Sequence, residues 1–268
     1  MPQIIAIANH KGGVGKTATA VNLAAIFADK GYRTLLVDLD PQGNSSAWLN
    51  ATENGAALVE ALANETSLEV EQTPFSGLQL AAGGLPLAAA QKSLGHEVGA
   101  ELLLGEMLQR SQKQWDLVFL DCPPSLGFLT INALAASTGV LLPLEAHPLG
   151  LRGLSDSRKV VHAVQKRLNP GTSIIGVVPC RVHPRRALHR EVMLALEDAF
   201  PDQVTPSIRE NVAVAEAPAH GLPINLYSPR SNGCLDYRKV ANWLAKRLFL
   251  GESHVNPQGQ NAQKPTGK

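Results

Sequence analysis

One segment near the N-terminus restricts the possible folds of this chain more than any other. Residues 4–8, Ile-Ile-Ala-Ile-Ala, form a short apolar run typical of a strand buried on both faces of a parallel sheet. A glycine-rich stretch, residues 11–17 with the sequence Lys-Gly-Gly-Val-Gly-Lys-Thr, follows it. Residues 17–30 then carry apolar side chains at helical spacing, and Gly31 ends the pattern. A strand, a glycine-rich turn and a helix in this order predict a phosphate-binding loop.

The residue types in this loop indicate a specific chemistry. Glycines allow the backbone to wrap closely around a phosphate, so that its N–H groups and the helix N-terminus face the anion. Lys16 would reach the β- and γ-phosphates of a nucleotide, and the hydroxyl of Thr17 would ligate Mg²⁺. An ordinary glycine-rich turn is the alternative, but it does not explain why Gly-Lys-Thr stands at the start of a helix.

The alternation of strands and helices continues along the chain. Further strands are predicted at residues 34–37, 115–120, 140–142 and 173–178, and helices at residues 126–137, 151–168, 186–200 and 235–248. This order predicts an α/β fold, a mainly parallel sheet covered by helices on both faces. We expect one domain over residues 1–249 and a disordered polar tail over residues 250–268. Residues 50–95 are less regular, and we place no site there.

Composition excludes several classes of protein. No apolar run approaches the roughly 20 residues that a membrane-spanning helix needs, and the N-terminus lacks the pattern of a signal peptide. The three cysteines lie far apart, which argues against a disulfide framework or a zinc site and favours the cytoplasm.

The charges are distributed unevenly along the chain. Residues 1–150 carry 7 Lys and Arg against 14 Asp and Glu, whereas residues 151–268 carry 17 Lys and Arg against 9 Asp and Glu. This asymmetry indicates a basic face that could bind a polyanion, although an ordinary solvated surface would also explain it.

Carboxylates follow two of the predicted strands. Asp38 and Asp40 come directly after residues 34–37, and Asp121 follows residues 115–120. In an open α/β sheet the carboxyl ends of the strands lie beside the phosphate loop, where a base and a metal ligand are needed. Taken without other evidence, two carboxylates after a strand could equally be ordinary turn residues.

The loop departs from the common G-x-x-x-x-G-K-[S/T] pattern, because His10 stands at its first glycine and a second lysine, Lys11, begins it. This arrangement resembles the deviant Walker A loop of the ParA/MinD ATPases, and most closely that of the short ParA partition proteins. Residues 38–44 resemble the switch I segment of that family, and residues 121–126 resemble its Walker B and switch II segments. The resemblance extends over residues 3–248, and it implies a P-loop NTPase that hydrolyses ATP.

The resemblance also implies roles for individual residues. Lys11 would cross a dimer interface to contact the partner's phosphates, Lys16 would act within its own subunit, and Asp40 would polarise the attacking water. Mg²⁺ would be held by Thr17, Asp38 and Asp121. In residues 211–218, which resemble the family's C-terminal signature, Asn211 would meet the adenine. The residues implied to bind ATP are Lys11, Gly12, Gly13, Val14, Gly15, Lys16, Thr17, Ala18 and Asn211.

In the family, ATP closes a homodimer that binds duplex DNA non-specifically, and a ParB-like protein stimulates hydrolysis. The resemblance therefore implies a cytoplasmic, nucleoid-associated protein without membrane attachment. We predict that the basic residues after position 150 contact the duplex backbone, since no aromatic residues accompany the densest group to stack on bases. These residues are Arg181, Arg185, Arg186, Arg190, Arg238, Lys239, Lys246 and Arg247. Solvated faces, or arginines lining the nucleotide site, are the alternative.

Two other functions are weighed against this one. A MinD-like membrane-cycling ATPase should end in a basic amphipathic helix, and residues 251–257, Gly-Glu-Ser-His-Val-Asn-Pro, do not have that pattern. A metabolic ATP-dependent ligase or reductase on the same fold would need a substrate pocket beside the γ-phosphate. The sequence leaves that second alternative open.

Overall fold

The computed structural model describes residues 2–64, 66–111 and 114–248. Within them, seven strands form one sheet in the order β3-β4-β2-β5-β1-β6-β7. The strands are β1 Gln3–Ile7, β2 Thr34–Asp38, β3 Glu71–Gln72, β4 Leu78–Ala81, β5 Leu117–Asp121, β6 Gly139–Glu145 and β7 Ile174–Cys180. All neighbouring strands are parallel except β3 and β4. The predicted α/β class with a mainly parallel sheet is confirmed.

Helices connect the strands and cover both faces of the sheet. They are α1 Lys16–Asp29, α2 Asn44–Trp48, α3 Ala56–Ala63, α4 Pro86–Ser93, α5 Leu103–Ser111, α6 Phe128–Ala136, α7 Pro148–Arg167, α8 Ala187–Ala199, α9 Val212–Glu216, α10 Ile224–Tyr227 and α11 Asn232–Arg247. Short 3-10 segments lie at Leu94–His96, Ala100–Leu102 and Ala217–His220. In the part of the chain that is described, none of the helices combines the length and apolarity required to cross a membrane.

The core consists of two apolar layers, one on each face of the sheet. Side chains alternate along a strand, so Ile4 and Ala6 of β1 belong to one layer and Ile5 and Ile7 to the other. The first layer is closed by apolar side chains of α3 to α8, and the second mainly by those of α1 and α11. Every residue of β2 and β5 is buried, which explains why these strands read as continuous apolar runs.

Residues 50–95 contain more regular structure than the sequence suggested. They form α3, β3, β4 and α4, and β4 adds a parallel strand beside β2, with Thr34 opposite Leu78. The four-residue strand Leu-Gln-Leu-Ala gives too short a pattern to be recognised without its neighbour. The predicted tail, residues 250–268, lies outside the described residues, so that prediction stays open.

The topology brings the three conspicuous motifs to one edge of the sheet. β1, β2 and β5 are adjacent and parallel, so their carboxyl ends meet at one edge. Asp121 lies opposite both Ile7 and Asp38 in the register of the sheet. The phosphate loop, the switch I segment and the Walker B segment therefore begin side by side.

Candidate nucleotide site

The glycine-rich loop has the geometry of an anion cradle. Gly13 and Gly15 adopt φ angles of 73° and 97°, in the left-handed region that favours glycine. A Cβ atom built on Gly12 or Gly13 would meet nothing within 4 Å, so open space lies directly over the backbone. Gly15 precedes α1, whose first turn has no capping side chain, and the N–H groups of that turn are free to face an anion.

Lys16 is buried beneath this loop. Its side chain belongs to a residue only 7% exposed, and its Nζ donates a hydrogen bond to the carbonyl oxygen of Lys11 at 3.2 Å. Burial lowers the pKa of the Lys16 ammonium, while the nearby charges of Asp121 and Asp40 oppose that shift. A buried cation at the floor of a glycine cradle is suited to neutralise a bound phosphate.

Two buried carboxylates lie next to each other at the ends of β2 and β5. Asp38 Oδ2 accepts hydrogen bonds from the backbone N and the Oγ of Ser46, at 2.9 and 2.7 Å. Asp121 Oδ2 accepts one from Ser45 Oγ at 2.7 Å, whereas its Oδ1 is buried without a hydrogen-bond partner among the described residues. Burial, reinforced by the charge of Asp38, raises the pKa of Asp121 to about 7, and burial also raises the pKa of Asp38.

This pair fits a divalent cation. An unpartnered carboxylate oxygen beside a second carboxylate is unfavourable unless a positive charge joins them. Thr17 lies near the same place, because its hydroxyl opposes the rise in the pKa of Asp121. No cluster of three or more His, Cys, Asp or Glu suited to a metal occurs in the described ranges. Two carboxylates and a hydroxyl match Mg²⁺, which usually takes few protein ligands and fills its shell with phosphate oxygens and water.

Asp40 occupies a different position from Asp38, although only one residue separates them. It lines a cavity that begins at the glycine-rich loop, and its Oδ1 accepts a hydrogen bond from the backbone N of Gln42 at 3.0 Å. Its backbone N in turn donates to Asp38 Oδ1 at 3.1 Å. Asp40 is thus fixed at the cavity wall, whereas Asp38 is fully buried behind it.

Lys11 stands apart from these groups. Its side chain is 36% exposed, and its Nζ lies 3.7 Å from Oε2 of Glu145, at the end of β6. The other carboxylate oxygen of Glu145 lies 4.0 Å from Nη1 of Arg181. The ammonium of Lys11 is therefore held by a carboxylate of its own chain. No local pattern of residues links Glu145 to the loop, so its pairing with Lys11 could not be predicted from the sequence.

A cavity of about 700 Å³ joins the loop to the C-terminal part of the chain. Asn211 stands before α9 on the far wall, and its side-chain Oδ1 is buried without a hydrogen-bond partner within the described part of the chain. The predicted site residues that line the cavity are Gly12, Gly13, Gly15, Lys16, Thr17, Ala18, Asp40, Arg181 and Asn211. Val14, also predicted, is buried in the core instead. Trp48 and Tyr237 also line the cavity, but no local pattern of residues predicted a role for either.

The predicted DNA-contacting residues have varied surroundings. Arg185, Arg186 and Arg190 are exposed around the start of α8, and Arg190 also donates to the carbonyl oxygen of Arg185. Arg181, with a φ of 53°, borders the cavity beside Glu145.

The second basic group, on α11, is more engaged within the chain. Arg238 pairs with Asp29, and Lys239 lies 3.9 Å from Asp236. Arg247 stacks over the ring of Trp243 and also donates a hydrogen bond to the backbone, whereas Lys246 is exposed. The arginines around α8 therefore have fewer partners in the chain than the basic residues of α11.

Comparison with known proteins agrees with this geometry. A family model described as "AAA domain" matches residues 2–174. The sporulation initiation inhibitor protein Soj of Bacillus subtilis is 39% identical over 250 residues, covering 91% of this chain and 99% of that protein. The chromosome partitioning protein ParA of Myxococcus xanthus is 37% identical, covering 91% of this chain and 88% of that protein.

Solved structures have the same fold. Cobyrinic acid a,c-diamide synthase from Mycobacterium smegmatis, solved with an ATP analogue and magnesium, superposes with a TM-score of 0.81 at 29% identity, covering 92% of this chain and 96% of that one. MinD from Pyrococcus horikoshii, solved with Mg-ADP, gives a TM-score of 0.79 at 24% identity, with coverages of 95% and 100%. The loop, the paired carboxylates and these relatives together show that the chain belongs to the ParA/MinD family of ATPases.

Proposed function

We propose that this protein is a ParA-type ATPase that positions DNA or another cargo. It binds ATP and Mg²⁺, closes into a homodimer on ATP, and hydrolyses ATP to ADP and phosphate. The observation that carries the proposal is that Lys16 and Asp40 line one cavity, while the buried Asp38–Asp121 pair lies directly behind Asp40. The chromosome partitioning protein ParA of Myxococcus xanthus, which is 37% identical over nine-tenths of the chain, supports the biological role.

Different residues of the chain have different roles in the reaction. The N–H groups of the loop and of the first turn of α1 hold the phosphates, and Lys16 neutralises their charge. Asp40 orients the attacking water and takes up its proton, because it lines the cavity and is fixed by the N–H of Gln42. Thr17, Asp38 and Asp121 would hold Mg²⁺, which would supply electrostatic stabilisation of the phosphate oxygens.

The second lysine links the nucleotide to dimer formation. Lys11 is half-exposed and pairs with Glu145 in the single chain, so it is not needed to balance charge inside its own cavity. When two cavities face each other, the ammonium of Lys11 exchanges Glu145 for the phosphates of the partner. This exchange makes the dimer depend on bound nucleotide.

DNA is the proposed binding partner of the dimer. The exposed arginines around the start of α8 provide positive charge without aromatic side chains, which suits a duplex backbone read without sequence preference. A ParB-like protein is the proposed activator. The protein would act in the cytoplasm on the nucleoid, with residues 1–249 as its ATPase domain.

A metabolic ATP-dependent enzyme is the second candidate. The similarity to cobyrinic acid a,c-diamide synthase, at 29% identity over 92% of this chain, favours it. Such an enzyme would bind a small organic acceptor beside the γ-phosphate, and its ATP turnover would depend on that acceptor. A MinD-like role as a spatial regulator rests on the shared fold alone.

One experiment separates these functions. Binding of a duplex of random sequence is measured by fluorescence anisotropy with ATP, with ADP and without nucleotide, and ATP turnover is measured with and without the duplex. We expect tight binding with ATP only, and faster turnover when DNA is present. DNA binding that is absent under all three conditions would contradict the proposal and favour the metabolic enzyme.

A further inference from the structure

The five-residue helix α2 holds both metal-site carboxylates. Ser45 and Ser46, in its first turn, donate side-chain hydrogen bonds to Asp121 and Asp38 respectively, each at 2.7 Å. Both serines are buried, at 0% and 4% exposure, so water does not compete for these bonds. The position of α2 is therefore tied to the position of the two carboxylates.

The other end of α2 is attached to the far wall of the cavity. The indole Nε1 of Trp48 donates a hydrogen bond to the carbonyl oxygen of Leu222 at 2.9 Å. Asn50, just after the helix, packs so closely against Gly221 that a Cβ atom there would lie 2.1 Å from its side-chain nitrogen. Trp48 and Pro218 both line the cavity, and Pro218 belongs to the segment that carries Gly221 and Leu222. We call residues 217–222 the far-wall segment.

We propose that α2 mechanically couples the metal end of the cavity to the far-wall segment, with Ser45 as a positioning residue for Asp121 and Trp48 as the contact to the far wall. This inference rests on the proposed function, because it assumes a nucleotide whose phosphates lie at the loop and whose nucleoside lies toward the far wall. A short helix that is hydrogen-bonded to a buried carboxylate at one end and to a partly buried carbonyl oxygen at the other cannot move at one end alone. A carboxylate that turns to ligate a cation therefore shifts Ser45, and the shift reaches Leu222 through Trp48.

Coupling of this kind has a measurable consequence. Two sites linked through one element change each other's affinity by the same factor. Mg²⁺ should raise the affinity for a nucleotide partly through its phosphates and partly through the far wall. The first contribution does not require the nucleobase of the ligand, whereas the second contribution does. Loss of the hydrogen bond from Trp48 to Leu222 should remove only the second contribution.

The experiment compares ADP with inorganic tripolyphosphate, each titrated by isothermal calorimetry in Mg²⁺ and in EDTA. The quantity of interest is the gain in affinity that Mg²⁺ produces. We expect Trp48→Phe and Ser45→Ala each to reduce the gain for ADP by about fivefold or more, a typical coupling factor. Trp48→Phe should leave the gain for tripolyphosphate unchanged. The double variant should reduce the gain for ADP no further than the more affected single variant does, because both changes interrupt one connection.

Two control variants match these changes elsewhere in the fold. Trp115→Phe removes an indole hydrogen bond to Gln79 Oε1, and Ser93→Ala removes a helix serine that bonds only to carbonyl oxygens of its own helix. Both should keep the wild-type gain for ADP. An unchanged gain in Trp48→Phe, with wild-type protein that binds Mg-ADP, would overturn the coupling and leave the proposed function intact. Wild-type protein that binds no nucleotide in either buffer would overturn both.

Discussion

The two lysines of the phosphate loop have different surroundings, and their substitution should have different effects. Lys16 is buried under the loop, whereas Lys11 is half-exposed beside Glu145. We expect Lys16→Ala to abolish nucleotide binding, since no other ammonium lines the cavity floor within the described residues. Lys11→Ala should bind ATP but form no ATP-dependent dimer. Calorimetry and light scattering measure the two properties, and normal dimers of the Lys11 variant would show that Lys11 does not act across an interface.

Asp40 offers a test of the hydrolytic step. Asp40→Ala removes the group that orients water but leaves Lys11, Lys16 and the carboxylate pair in place. We expect ATP binding and dimerisation to persist while turnover falls by about 10² to 10⁴-fold, the usual contribution of a positioned base. Turnover is measured as phosphate release, with dimerisation followed in parallel. Wild-type turnover in this variant would remove Asp40 from the mechanism.

The raised pKa of Asp121 predicts a pH-dependent stability of the protein without Mg²⁺. An unfolded Asp ionises near pH 4, but in the folded protein the pKa of Asp121 is about 7. Below pH 4 this group therefore does not change the free energy of unfolding. As the pH rises from 4 to 7, the free energy of unfolding falls by at most about 4 kcal/mol.

Thermal unfolding in EDTA, from pH 4 to pH 8, measures this loss of stability. We expect Asp121→Asn to reduce the fall in stability across that range, and Mg-ADP to reduce it in the wild-type protein by favouring the ionised form. Equal pH dependence of the Asn variant and the wild type in EDTA would show that another group is responsible.

At the scale of elements, the turn after β4 supports the metal end of the site. A Cβ atom on Gly83 would lie 2.2 Å from the backbone oxygen of Asp38, and the N–H of Gly83 donates to Ser46 Oγ at 2.8 Å. We expect Gly83→Ala to destabilise the fold by about 1 to 3 kcal/mol through overpacking, and to weaken the gain in nucleotide affinity from Mg²⁺.

Gly105 provides the matched control for this change. It lies inside α5, where an added Cβ would make only ordinary contacts at 3.7 Å. Gly105→Ala should leave stability unchanged or raise it by up to about 1 kcal/mol, because alanine is the better helix former. Urea unfolding gives the free energy of unfolding of both variants. Similar free energies for the two would show that the turn after β4 tolerates a side chain.

At the scale of the whole molecule, the excess of positive charge lies in the second half of the chain. Replacing Arg185 and Arg186 together with alanine should weaken ATP-dependent binding to all duplexes equally. The magnitude of the slope of log affinity against log salt concentration should decrease by roughly one to two, because binding releases about one counterion fewer for each phosphate contact that is lost. Alanine at Lys159 and Lys166, two exposed lysines of α7, removes the same charge elsewhere and should have a smaller effect. Unaltered affinity in the arginine variant would place the DNA-binding face elsewhere.

The sequence by itself determined the parallel α/β sheet and the phosphate loop, because these depend on contiguous patterns. An apolar run, a glycine turn and a helix are consecutive in residues 4–30, and parallel strands necessarily bring Asp38 and Asp121 to one edge. The family resemblance supplied the role expected of Asn211, and the fold then placed it on the cavity wall.

Only the tertiary structure decided which side chains hold these groups in place. Ser45 and Asp121 are 76 residues apart, Trp48 and Leu222 are 174 apart, and Lys11 pairs with a carboxylate on the strand β6. Strand β4 likewise becomes recognisable only beside β2. Such contacts depend on how distant segments are packed against each other, and no local spacing of residues in the chain encodes that packing.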